Sequence, residues 1–124
     1  MDKNKRKELL EEFKQIKTYM GVIQITNKVN RKIFVSGYPN LKNKWVTIQI
    51  QLDMGKFANL QLQKDWKEYG AEAFNYEVLE QKNTDDIFDI RWEVKQMEKR
   101  WFEKLQPHED KGYHKPRVNN ADKN

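Results

Sequence analysis

The chain has 124 residues, 24 of them Lys or Arg against 19 Asp or Glu, for a net charge of +5. That length suits one domain around one core, and the positive balance is compatible with a polyanionic partner without requiring one. No cysteine occurs, which excludes a disulfide framework, a thiolate zinc site and a cysteine nucleophile; with no apolar run of signal-peptide or membrane-span length, a cytoplasmic protein is expected.

Leu9, Leu10, Phe13 and Ile16 recur at helical spacing among Lys and Glu residues. They predict an amphipathic helix within an N-terminal element over residues 1–19, on the outside of the domain. Its polar face mixes Lys3, Lys5, Arg6, Lys7, Lys14 and Lys17 with Glu8, Glu11 and Glu12, the composition of a solvated surface. Gly21 then opens the apolar stretch GVIQI, and after turn-forming residues from Asn27 to Arg31 a second stretch, KIFVSG, follows. Both are rich in β-branched residues and read as a hairpin.

Residues 45–52 fit two patterns. Leu41, Trp45, Ile48 and Leu52 make a helical stripe, whereas Val46, Ile48, Ile50 and Leu52 alternate like a strand. From Asn59 the spacing of Leu62, Trp66 and Tyr69 is helical, and Gly70 stands at the expected C-terminal cap. Phe74, Tyr76 and Val78 alternate with Asn75 and Glu77 as a third strand. Thr84 is the expected cap of a long helix with Asp85 and Asp86 in its first turn and a stripe of Ile87, Ile90, Val94, Met97, Trp101 and Leu105, stopped by Pro107. Residues 115–124 hold almost nothing apolar and are expected to be a disordered tail. Trp45, Trp66 and Trp101 fall on apolar stripes and are expected in the core, while Trp92 does not. His108 and His114 are too few for a zinc site without thiolates. The layout is α+β, a small three-stranded antiparallel sheet flanked by helices over residues 20–114.

Gly21-Val22-Ile23 and Phe34-Val35-Ser36 occupy the places of two short strand motifs, and GVIQITNKVNRKIFVSG, NLKNKW, LDMGKFANLQLQKDWKEYG, FNYEVLE and MEKRWFEKLQP follow in matching order. In these segments the chain resembles the GIY-YIG nuclease family over about Met20 to Tyr113. The resemblance implies a three-stranded antiparallel sheet flanked by helices, favours the helical pattern for residues 45–52, and implies a metal-dependent endonuclease acting on DNA with Mg²⁺ or another divalent metal.

The resemblance also assigns the site positions. Ile23 stands where the family's first motif carries a Tyr that helps activate water, and Phe34 stands at the second motif's Tyr, keeping the ring without the hydroxyl. Ser36 replaces the Gly that ends the second motif, with Gly37 beside it. Lys44 stands at the family's Arg, retaining charge without the bidentate fork, and Ile48 at its His. Glu98 matches the metal-holding Glu and is retained; His114 corresponds to a C-terminal Asn. Read from the helix alone, Glu98 borders the buried stripe as a carboxylate paired with Lys95 or Arg91, and Lys44 is a solvated helix residue.

These substitutions predict a degenerate active site that retains at most DNA binding. One alternative is a weak metal-dependent endonuclease using Glu98 and Lys44, with the hydroxyl of Tyr38 or Tyr19 in place of the missing tyrosines. Another is a protein-interaction module, since Ile23, Phe34 and Ile48 exchange three polar site residues for apolar ones; an exposed apolar patch there would favour it.

Overall fold

The computed structural model describes residues 17–85 and 87–114. The predicted N-terminal helix over residues 3–17 lies outside them apart from Lys17, as does the predicted tail. Three strands, β1 (Tyr19–Asn27), β2 (Ile33–Tyr38) and β3 (Phe74–Asn83), form one antiparallel sheet in the order β2-β1-β3. Among the described residues three α-helices accompany them: α1 (Lys44–Asp53), α2 (Leu60–Tyr69) and α3 (Ile90–Leu105). None of the described helices is long and apolar enough to cross a membrane.

The central strand explains its own composition. Met20 and Val22 project to one face, where they meet Val35, Val94 and Met97 beneath α3. Ile23 and Ile25 project to the other, against Phe34, Ile48, Leu52, Leu62 and Trp66. A strand covered on both faces needs apolar residues at consecutive positions, so GVIQI shows no simple alternation. Full burial of each such Ile or Leu contributes roughly 1.5–3 kcal/mol. The register of β1 against β3 shifts between Val22 and Ile23. Beside that irregularity a Cβ on Gly21 would lie 2.0 Å from the Glu80 carbonyl oxygen, so only glycine admits the close approach.

The two patterns of residues 45–52 resolve in favour of the helix. Ile48 and Leu52 are buried at i and i+4, whereas Val46 and Ile50, which would share their face in a strand, are exposed. Asn59 caps α2 by accepting from the Leu62 N–H at 3.0 Å, and Gly70 ends it with φ 83°.

Thr84 does not cap the long helix. Its N–H and hydroxyl both donate to the Thr18 carbonyl, at 3.0 and 3.1 Å, tying the end of β3 to the start of β1. The cap is Asp89, whose side chain accepts from the Trp92 N–H at 3.0 Å, so α3 begins at Ile90. Long-range pairing of Thr84 outweighs its local capping tendency.

Candidate functional site

β2 is an edge strand, and its outer side opens onto a cleft of about 630 Å³ between α3 and the segment joining α1 to α2. Phe34, Ser36 and Tyr38, alternate residues on one face of β2, line it together with Lys56, Glu98 and His114. Two elements distant in sequence are held to this edge by hydrogen bonds to its amides. The Gly37 N–H donates to Glu98 Oε2 at 2.7 Å, and the Val35 N–H donates to His114 Nε2 at 3.0 Å. An edge strand with unpaired amides invites further strand pairing; here side chains satisfy two of them.

Gly37 makes the first contact possible. A Cβ there would lie 2.7 Å from Val94 Cγ1 and 3.3 Å from Glu98 Oε2, so its absence lets α3 close on β2. His114 is fixed by stacking as well: its ring lies 5.0 Å from Phe34 at an interplanar angle of 19° and 4.7 Å from Phe102. Burial, reinforced by nearby His108, lowers the His114 pKa to about 4. The ring is therefore neutral at pH 7, with Nε2 as acceptor and the proton on Nδ1.

Tyr38 supplies the cleft's phenolic hydroxyl. Burial raises its pKa, a hydrogen bond with Ser36 opposes the shift, and the negative charge of Glu98 adds to it. It is a neutral hydrogen-bonding group at pH 7. The Lys44 Nζ lies 4.4 Å from the centroid of its ring, a cation–π contact worth about 0.5–2 kcal/mol. Lys44 is half-buried at the start of α1, positioned by Tyr38 rather than loose in solvent.

Two solved structures share this architecture. The catalytic domain of the homing endonuclease I-TevI matches with a TM-score of 0.62 at 22% identity, over 76% of this chain and 95% of that one. A mutant form of the catalytic domain of the same intron endonuclease matches with a TM-score of 0.60 at 21% identity, over 73% of this chain and 86% of that one. The chain has the GIY-YIG endonuclease-like fold. No family model matches the sequence, and no curated protein does. Identity this low carries the fold and leaves activity to the site itself.

Within the GIY-YIG-like fold, the positions assigned by resemblance separate into two groups. Ile23, Phe34 and Ile48 lie together in the core cluster under α1 and α2, at 0, 7 and 1% exposure. They fill the interior and present no exposed apolar patch. Phe34 also packs edge-on to Phe57, with ring centroids 5.4 Å apart. Glu98, His114, Ser36 and Tyr38 converge on the cleft, where the Phe34 ring, alone of the three, also forms part of the wall. Tyr19 does not join them: it pairs with Asn83 at the start of β1 and borders a separate pocket with Lys17 and Leu41.

Glu98 forms no ion pair with Lys95 or Arg91; the ion pairs found among the described residues are Lys82–Glu93 and Arg100–Glu80. Its bond to the Gly37 amide was not evident in the sequence, nor was the contact of His114 with Val35. Gly37 was the available signal, since a glycine at the end of a strand can mark close approach of another element.

A hard divalent cation takes carboxylate, water and phosphate oxygens. Glu98 is the carboxylate lining the cleft, and with Oε2 on the Gly37 amide its Oε1 makes no hydrogen bond or ion pair among the described residues. The donor set fits a cation held by one protein oxygen and otherwise by water and substrate. No group of three or more His, Asp or Glu among the described residues forms a denser metal site.

Proposed function

We propose that this chain is a nucleic-acid-binding domain of GIY-YIG-like fold that contacts the DNA backbone at the β2 cleft without hydrolysing it at a useful rate. The supporting observation is the burial of Ile23, Phe34 and Ile48 in one apolar cluster, at the positions where the resemblance places two tyrosines and a histidine. Loss of a general base costs roughly 10²- to 10⁴-fold in rate, and loss of a charge-stabilising donor about 10²- to 10³-fold. The neutral His114, held at about pKa 4 with Nε2 already engaged, is a poor base at neutral pH. Glu98 bonded to Gly37 serves to cap the sheet edge, a role that needs no metal.

Lys44 and Lys56 supply positive charge near the cleft as point charges, suited to phosphate contact without bidentate orientation. Binding should weaken steeply with salt, because each neutralised phosphate releases counterions. Fluorescence anisotropy of a labelled duplex across a salt series tests this, with Lys44→Glu and Lys56→Glu as variants. Weaker binding and a shallower salt slope in the variants are expected; affinity indifferent to salt contradicts the reading.

A second reading is a weak metal-dependent endonuclease, favoured by the arrangement of Tyr38. Its neutral hydroxyl shares the cleft with Ser36 and Glu98, and its ring carries Lys44. In that reading Tyr38 orients water or phosphate, Lys44 balances phosphate charge and Glu98 holds the cation, which would stabilise the leaving oxygen. Cutting that disappears in both Tyr38→Phe and Glu98→Ala would establish it.

A further inference from the structure

The five cations of α3 divide by what they touch. Arg100 pairs with Glu80 at 3.9 Å, and the Lys104 Nζ lies 4.9 Å from the centroid of the Trp101 ring. Arg91, Lys95 and Lys99 are exposed, and their side chains make no ion pair or cation–π contact among the described residues. Spaced four residues apart, they form one stripe whose successive charges are separated by about 6 Å along the helix axis. Neighbouring acids are engaged elsewhere: Glu93 pairs with Lys82 on the side facing β3, and Glu98 holds the Gly37 amide.

Trp92 shares this face, three residues before Lys95 and seven before Lys99. Its ring is 57% exposed, whereas Trp45, Trp66 and Trp101 all pack into or against the two core clusters. An exposed indole beside a row of cations offers a π-face and positive charge together. Bases of a single strand have free faces to stack on such a ring, while those of a duplex are already stacked on one another. Cations one helical turn apart can follow successive phosphates of an extended strand. The stripe is also bounded: Asp89, which caps α3 through the Trp92 N–H, precedes it, and Glu103 follows it. Negative charge at both ends confines a polyanion to the roughly 12 Å between Arg91 and Lys99.

We propose that this face of α3 is a binding site for single-stranded nucleic acid, with Arg91, Lys95 and Lys99 on successive phosphates and one base stacked on Trp92. None of these four residues lines the β2 cleft. The site is therefore additional to the cleft, and either can fail without the other.

Titration of the full chain with a labelled oligothymidylate, followed by anisotropy across a salt series, tests the assignment. Arg91→Ala/Lys95→Ala/Lys99→Ala should weaken binding and flatten the slope of log affinity against log salt by about 2, the share of three single-strand phosphates. Trp92→Ala should weaken binding by at least about fivefold with the slope unchanged, and Trp92→Phe should retain most of the affinity. All four side chains are exposed, so the urea midpoint should not move. Lys44→Ala/Lys56→Ala should leave the oligothymidylate slope as it is. Absence of binding, or parental affinity in Trp92→Ala, would overturn the proposal. So would affinity that depends on Lys44 and Lys56 alone, which would put the strand in the cleft, or a blunt duplex held by the α3 residues as tightly as the oligothymidylate, which would make the stripe a general polyanion surface.

Discussion

The Gly37 N–H donates to Glu98 Oε2 across 2.7 Å, joining the edge of the sheet to the middle of α3. The acidic side chain that the resemblance assigns to metal binding is thus already engaged in holding two elements together. Gly37→Ala should disturb this junction, because its Cβ would press on Val94 Cγ1 at 2.7 Å. The overpacking should cost about 1–3 kcal/mol, read as a lower urea midpoint. Glu98→Gln, which keeps an acceptor oxygen, should be milder than Glu98→Ala.

Restoring the substituted tyrosines should have unequal effects. Ile23→Tyr places a larger polar side chain at a position with 0% exposure and should destabilise by about 1–3 kcal/mol or more. Phe34→Tyr adds a hydroxyl to a ring that already lines the cleft and should shift the thermal midpoint little. Comparison of the two melting curves checks the asymmetry. An equally tolerated Ile23→Tyr would mean that the core cluster is looser than its burial implies.

His114 gives stability a pH dependence of definite sign. Its folded pKa, about 4, lies below the ordinary 6.5, so between these values the unfolded chain binds more protons. The stability associated with neutral His114 is fully present above about pH 6.5 and is lost as pH falls towards 4. Denaturation midpoints measured across that range should fall less in His114→Gln than in the parent chain. Parallel curves would contradict the assignment.

Tyr113 anchors the C-terminal end of the described chain through a polar network. The buried Asn27 amide donates to its hydroxyl at 3.1 Å, and that hydroxyl donates to Asp65 Oδ2 at 2.8 Å. Burial is the main cause that raises the Tyr113 pKa. Tyr113→Phe should cost about 1–3 kcal/mol, because it leaves the Asn27 amide short of a partner; chemical denaturation measures the loss.

Much of this architecture was legible because local and long-range preferences agree. The continuous apolar run of β1, the Asn59 cap and the stripe ending before Pro107 each have one physical outcome. Thr84 misleads because a capping residue can equally bond a distant carbonyl, and its partner, Thr18, is 66 positions away. The α1 segment is ambiguous because Ile48 and Leu52 fit periods of both 2 and 3.6, with Val46 and Ile50 completing the one and Leu41 and Trp45 the other; the burial of Ile48 and Leu52 with Val46 and Ile50 exposed decides it. In the candidate site, residue types could be aligned by resemblance. What they touch depended on tertiary approach: the engagement of Glu98 with an amide, of His114 with Val35 and of Lys44 with Tyr38 are contacts between segments far apart or irregularly connected.

We propose that Ile23, Phe34 and Ile48, apolar where the resemblance places polar site residues, leave a cleft that binds DNA without cutting it. The most direct test is incubation of supercoiled plasmid with the purified chain in Mg²⁺, in Mn²⁺ and in EDTA, beside Glu98→Ala, with binding read by the retardation of a labelled duplex. Intact plasmid under every condition together with a salt-sensitive shift of the duplex is the expected result. Metal-dependent nicking that is lost in Glu98→Ala would contradict the account and establish a working endonuclease.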